Sequence, residues 1–455
     1  MRWTTDERAA LSSVPTSSTE VSVPPDLRKA LTTLLDRLKE LVKSNSFYDS
    51  YRVNEIETLH QGEDGSFNAT SRMRIDKCLS PSRAHAFVLS DVKAMPEFGQ
   101  CVQAIEQQRP KSTWPSDVLA LLVADELTMA IAECASPEMI EDIIVTFAAD
   151  LQETECNMFV SCKVDGIWLK DDHELRLGSC TIRRPQPSDL TSKYVAFAMG
   201  GDFDQPPSAI IEFPYKSARV EDAITEAKAT LNCLRLFRVG SVVDRGIHVT
   251  THSISRRGVL QEPTSGAAPR FRYALTKTDA TLLKTFLDRF KPLLRLPPKE
   301  TKPTPVQIAL SRYNDAVSML PAKEAVITSV INAMEALFLR GEDQGELVFR
   351  LSLRSASLLR TLNLPALEVQ DEVKASYRIR SKFIHGSVVG GESSDELAQR
   401  CSKILEYARL SLLLCAQLHE SRGKADLIKA LDQSLLDNDV TAEVRRLAAE
   451  CVTSH

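Results

Sequence analysis

Residues 366–386 read ALEVQDEVKASYRIRSKFIHG, and this stretch decides how the last third of the chain folds. It runs from a break at residues 363–365 to Gly386, which reads as a helix stop. Apolar residues recur at helical spacing on two faces: Val369, Val373, Tyr377 and Ile384 on one, Ala375, Ile379 and Phe383 on the other. A helix inside a bundle needs one such stripe, so the second predicts packing against another subunit or domain. Arg380 falls on the first stripe, between Tyr377 and Ile384, where an amphipathic pattern places an aliphatic residue. Local rules broken in this way concentrate at functional sites.

The same helical texture extends in both directions, from residue 305 almost to the end, with further breaks at 341–345 and 386–394. Four main helices with short connections predict an all-α four-helix bundle over 305–425 and a helical tail over 426–455. Before them, residues 291–305 (KPLLRLPPKETKPTP) hold five prolines, which can continue neither a helix nor a central strand. A linker is therefore expected at 291–304. Over 151–290 the stretches NMFVSCKV, LRLGSCTIRR and SAIIEFPY read as strands. A helix from Val220 to Phe237 follows, then two strands around a turn at Asp244-Arg245-Gly246. This predicts an α+β middle domain, a candidate sensor. The region 26–150 reads as mostly helical behind a mobile Ser/Thr/Pro-rich leader, residues 1–25. Asp26 is the expected N-cap of a first helix whose Leu27, Leu31, Leu34, Leu38 and Leu41 form a seam, serving either its own domain or a short coiled-coil contact.

At 455 residues the chain is long enough for two to four domains of about 100–200 residues each. A hydrophobic fraction of 43% supplies each with a core, and a net charge of −5 argues against a protein that coats duplex DNA nonspecifically. No apolar run reaches about 18 residues and the first residues lack a signal-peptide core, so a cytoplasmic protein without membrane attachment is expected. The ten cysteines include no Cys-x-x-Cys pair and read as small buried hydrophobes. His248 and His252 stand four apart, with no carboxylate or cysteine spaced to complete a metal site. Neither metal nor cofactor is expected.

The polar residues of 366–386 form a constellation. Tyr377, Ser381 and His385 are spaced i, i+4, i+8, with Arg380 one position round from Ser381. Lys374, Arg378 and Lys382 add positive charge that favours an approaching phosphate backbone, although such runs are more often solvated faces. On the first bundle helix Glu335 sits at the edge of the stripe Ile327, Val330, Ile331, Met334, Leu337 and Phe338 and needs a partner. Arg354 on the second helix is the expected one, in a pair more structural than catalytic.

The string Tyr377-Arg378-Ile379-Arg380-Ser381-Lys382-Phe383-Ile384-His385-Gly386 resembles the Y-x-x-R-S-x-x-x-H-G form of the HEPN signature. The upstream segments 334–338 (MEALF) and 346–356 (ELVFRLSLRSA) resemble the same region of ApeA-like HEPN domains, which are associated with bacterial anti-phage defence. The resemblance covers roughly residues 305–422. Many members carry Asn, Asp or His after the motif arginine; here Ser381 stands there.

The resemblance implies a metal-independent endoribonuclease acting in abortive infection on cellular or phage RNA, tRNA included, under a phage-derived trigger or regulatory partner. Arg380 and His385 are then catalytic, with Tyr377, Ser381, Glu335 and Arg354 supporting and Lys374, Arg378 and Lys382 binding RNA. Histidine suits proton transfer near neutral pH, and arginine suits the nonbridging phosphate oxygens. One histidine cannot be base and acid in a single step. The family resolves this by pairing two domains along the motif helices, which implies a homodimer leaving a 2′,3′-cyclic phosphate and a 5′-hydroxyl. The rival reading is a non-catalytic HEPN-like module that binds RNA, a nucleotide or a protein partner. A third is a structural adaptor, with the leucine seam of residues 27–41 and the bundle both serving assembly.

Overall fold

The computed structural model describes residues 22–43, 45, 47–63, 67–110, 114–190, 206–251, 253–254, 259–261, 271–295, 301–318, 320, 322–341, 343, 345–386 and 393–452. Most of the expected leader, and His252, lie outside these. The chain is mostly helical, with an antiparallel sheet in its middle and helices at its C-terminal end.

The first unit contains α1 (Pro25–Val42), α2 (Pro81–Phe87), α3 (Pro96–Gln107), α4 (Ser116–Ala132) and α5 (Pro137–Gln152). Pro24, not Asp26, is the N-cap of α1, and no side chain caps it: proline suits the first turn, where an amide has no partner to lose, so Asp26 moves inside the helix. Leu27, Leu31, Leu34 and Leu38 are fully buried against α3, α4 and α5 of the same unit. The seam therefore serves its own domain. Between α1 and α2 lies a long antiparallel hairpin, β1 (Tyr48–Gln61) with β2 (Phe67–Leu79), in a region expected to be helical.

In the middle unit six antiparallel strands lie in the order β5-β6-β7-β3-β8-β9. They are β3 (Cys156–Asp165), β5 (Glu174–Leu177), β6 (Cys180–Arg183), β7 (Ala209–Ser217), β8 (Val243–Thr251) and β9 (Val259–Gln261). Short strands β4 (Ile167–Leu169) and β10 (Tyr273–Leu275) pair in parallel beside them. Alternate residues of β3, from Cys156 to Val164, are buried, as period-two pleating requires. Helix α6 (Val220–Phe237) covers that sheet, and nearly every residue from Glu226 to Phe237 is buried. The expected turn at Asp244-Arg245-Gly246 is instead a bulge inside β8. Two steps along β3, Cys162 to Val164, oppose three along β8, Ile247 to Asp244. Gly246, at φ +125°, absorbs the extra residue in a conformation open to glycine.

Helix α7 (Asp279–Phe290) leads through the Pro-rich segment to α8 (Pro305–Ser318), α9 (Lys323–Phe338), α10 (Leu347–Leu359), α11 (Ala366–Ile384) and α12 (Ser394–Arg422). The bundle therefore has α8 in addition to the four expected helices. The tail forms α13 (Lys424–Gln433) and α14 (Asn438–Val452), which bury Leu427, Leu431, Val444 and Ala448 in the bundle's core. Helix α9 is the hub, packed on α8, α10, α11 and α12. Its Val326, Ile327, Val330, Ile331 and Met334 are fully buried, so its remaining face has a fixed orientation toward α11. No described helix is long and apolar enough to cross a membrane.

Candidate functional site

Helix α11 begins after Pro365 and ends at Ile384, with His385 as its C-cap and Gly386 at φ +67° just beyond. This left-handed glycine stops the helix, and its amide bonds back to the Phe383 carbonyl at 3.2 Å. Among the described residues His385 is held through its backbone, its amide donating to the Ser381 carbonyl at 3.2 Å, while its side chain is exposed. Arg380 lies five residues earlier, about 7.5 Å back along the helix axis.

Val369, Val373, Ser376 and Ile379 are the buried residues of α11. They come from both apolar faces read in the sequence, so the second stripe is not free as a whole: Ile379 is 4% exposed in this chain's own core. The bundle encloses the helix more widely than one stripe because α9, α10 and α12 all pack on it. What remains open is its last turn, where Phe383 and Ile384 are 42% and 51% exposed.

At the rim of the α9–α11 contact, Arg380 reaches back to α9. Its Nη2 lies 3.3 Å from Glu335 Oε2, its Nε donates to Asn332 Oδ1 at 3.4 Å, and its guanidinium carbon stands 5.3 Å from the centre of the Tyr377 ring. The Tyr377 hydroxyl and the Glu335 carboxylate lie close enough to influence each other's charge. Half-burial raises the Glu335 carboxyl above its ordinary value, and Arg380 and the Tyr377 hydroxyl offset this only in part. Burial likewise raises the Tyr377 phenol, helped by the neighbouring carboxylate. The Ser381 hydroxyl, half-buried, has no hydrogen-bond partner among the described residues.

The expected Glu335–Arg354 pair does not form. Arg354 is 3% exposed and turned toward the end of α9: Nη1 donates to the Phe338 carbonyl and to Asp343, both at 2.7 Å, while Nε and Nη2 grip Asp432 of α13 at 2.8 and 2.9 Å. It satisfies a carbonyl that the last turn of α9 leaves without a helical partner. Arg354 is thus a structural tie away from the Arg380 cluster. Of the basic residues, Lys374 is half-buried, while Arg378 and Lys382 are exposed one turn apart and make no ion pair with a described residue.

The sequence reading missed Asn332. Its signal was a polar side chain three positions before Glu335, hence on the same face of α9. Arg380, Asn332, Glu335 and Tyr377 form one cluster, an anchored cation beside a carboxylate of raised pKa, and the same helix end carries the exposed His385, Arg378 and Lys382, residue types suited to binding an anion and moving a proton. Compared with protein-family models, curated proteins and solved structures, the chain gives no match.

Proposed function

We propose that this chain is a metal-independent endoribonuclease of HEPN type, acting in anti-phage defence, with Arg380 holding the scissile phosphate and His385 transferring the proton. The observation that carries the reading is that Arg380, within an otherwise apolar helix face, is anchored at the protein surface five residues before an exposed histidine. Arg378 and Lys382 supply positive charge for an RNA backbone on the same helix. Phe383 and Ile384, exposed beside His385, suit a second copy placed across the site, which supplies the second histidine that acid and base catalysis together require.

The 2′-hydroxyl attacks the adjacent phosphorus, one histidine takes its proton, the arginines stabilise charge on the nonbridging oxygens, and the other histidine protonates the leaving 5′-oxygen. The products are a 2′,3′-cyclic phosphate and a 5′-hydroxyl end. Full-length protein incubated with RNA in EDTA is expected to give these ends, and His385→Ala and Arg380→Ala each to slow cleavage by about 100-fold or more. A His385→Ala protein as fast as wild type, or cleavage abolished by EDTA and restored by a divalent metal, overturns the proposal. The ion pair that Arg380 already makes favours a second reading, a non-catalytic HEPN-like module that binds RNA, a nucleotide or a protein partner. Under that reading RNA is bound and left intact.

A further inference from the structure

The guanidinium of Arg380 has five N–H donors on a rigid plane. Two of its three nitrogens face α9: Nε toward Asn332 and Nη2 toward Glu335. Nη1, with two donors, has no partner among the described residues. We propose that Asn332 and Glu335 are positioning residues, which fix the Nε–Nη2 edge of Arg380 so that Nη1 is presented to a nonbridging oxygen of an RNA phosphodiester. This rests on the ribonuclease reading of the same helix.

Comparison with other arginine pairs of the bundle separates this arrangement from ordinary packing. Arg400 meets Glu372, also on α11, at 2.6 Å, and Arg354 meets Asp432 with two bonds under 3 Å. The Arg380 contacts are longer, at 3.3 and 3.4 Å, and the pair stays open, with Arg380 25% and Glu335 21% exposed. Asn332 and Glu335 project from the same stretch of helix as fully buried Ile331 and Met334, so the backbone that carries the two acceptors is fixed. Tyr377 restricts its plane from the α11 side, at cation–π distance. Three contacts thus fix a side chain that otherwise samples many rotamers, a second layer of support of the kind reacting groups need.

The test uses full-length protein and a fluorescent single-stranded RNA whose 2′-O-methyl groups prevent cleavage, with binding read by anisotropy at fixed salt and folding checked by circular dichroism. Asn332→Leu and Glu335→Leu remove the acceptors at similar volume and are each expected to weaken binding by about tenfold. Asn332→Asp and Glu335→Gln keep an oxygen in place and are expected to restore most of it. In an Arg380→Ala background neither leucine variant should change binding further. Leucine variants that bind as tightly as wild type, or that lose as much affinity without Arg380 as with it, overturn the proposal alone. A wild type that does not bind the probe overturns it together with the RNA reading. Binding with the expected pattern, but no cleavage of natural RNA, upholds the positioning role and removes the nuclease.

Discussion

Burial raises the Glu335 carboxyl above its ordinary value of 4.5, and the charge of Arg380 only partly offsets this. Burial also acts on Asp343, but hydrogen bonds from Arg354 and the Arg340 amide, with the charges of Arg354 and Arg350, override it and hold that carboxyl at about 2. The signs therefore oppose. A carboxyl with a raised folded pKa costs stability when ionised, a cost relieved as pH falls through that pKa; one with a depressed pKa contributes stability above its ordinary 3.8 that is lost as pH falls toward 2. Asp343→Asn is expected to lose about 2 kcal/mol at pH 7 and progressively less below pH 4. Glu335→Gln is expected to leave stability unchanged or raise it at pH 7. Urea denaturation at pH 7 and pH 3 checks both, and an equal loss in the two variants would make Glu335 a structural ion-pair member like Asp343. The sequence identified Glu335 as a carboxylate in need of a partner, but not which arginine meets it. That choice depends on the rotation of α10 and on a loop carboxylate, Asp343, neither of which helical periodicity records.

At the level of elements, α11 was readable because its stop is local chemistry. Gly386 lies at φ +67°, and a Cβ there would meet nothing within 4 Å among the described residues, so a substitution at this position is opposed by backbone conformation. Gly386→Ala is expected to cost about 1 kcal/mol, and Gly386→Asn less, because asparagine tolerates the left-handed region. Hydrogen exchange at the His385 amide reports the same change locally, since that amide closes the last turn onto Ser381. If alanine there matches glycine in both stability and exchange, the turn carrying His385 is not set by this residue. The β1–β2 hairpin escaped notice although Asp64-Gly65 between its strands is a strong hairpin signal. Its strands mix charged and apolar residues, as in Arg52-Val53-Asn54-Glu55-Ile56-Glu57, and a shift between Ile56 and Thr58 interrupts their register, so no sustained alternation marks them. The bulge at Gly246 misled for a related reason: Asp-Gly spacing signals a turn equally well when the strand continues through it.

On the scale of the molecule the described residues form two apolar cores, one built from residues 23–151 with Ile254, the other a single cluster with members from Cys156 to Ala448. The second crosses the Pro-rich segment that composition alone marks as a boundary. Leu294 of that segment is fully buried and its carbonyl accepts from Asn232 of α6 at 3.0 Å, while Lys291 and Arg295 both pair with Glu226. Arg409 of α12 donates to the Leu236 and Phe237 carbonyls, closing the end of α6 against the bundle. Such long-range ties leave no trace in local composition, which is why the sheet and the bundle read as separate. A shared core implies that they unfold together, so calorimetry of the whole chain is expected to resolve two transitions rather than three. Leu34 is 0% exposed within the first core, and Leu34→Asp places an unpaired charge there at a cost of several kcal/mol. That variant should lose the transition of the first unit and leave the other at its original temperature. If both transitions instead move together, the two cores are energetically one, and a change in the first unit has a direct mechanical route to the helix that carries Arg380.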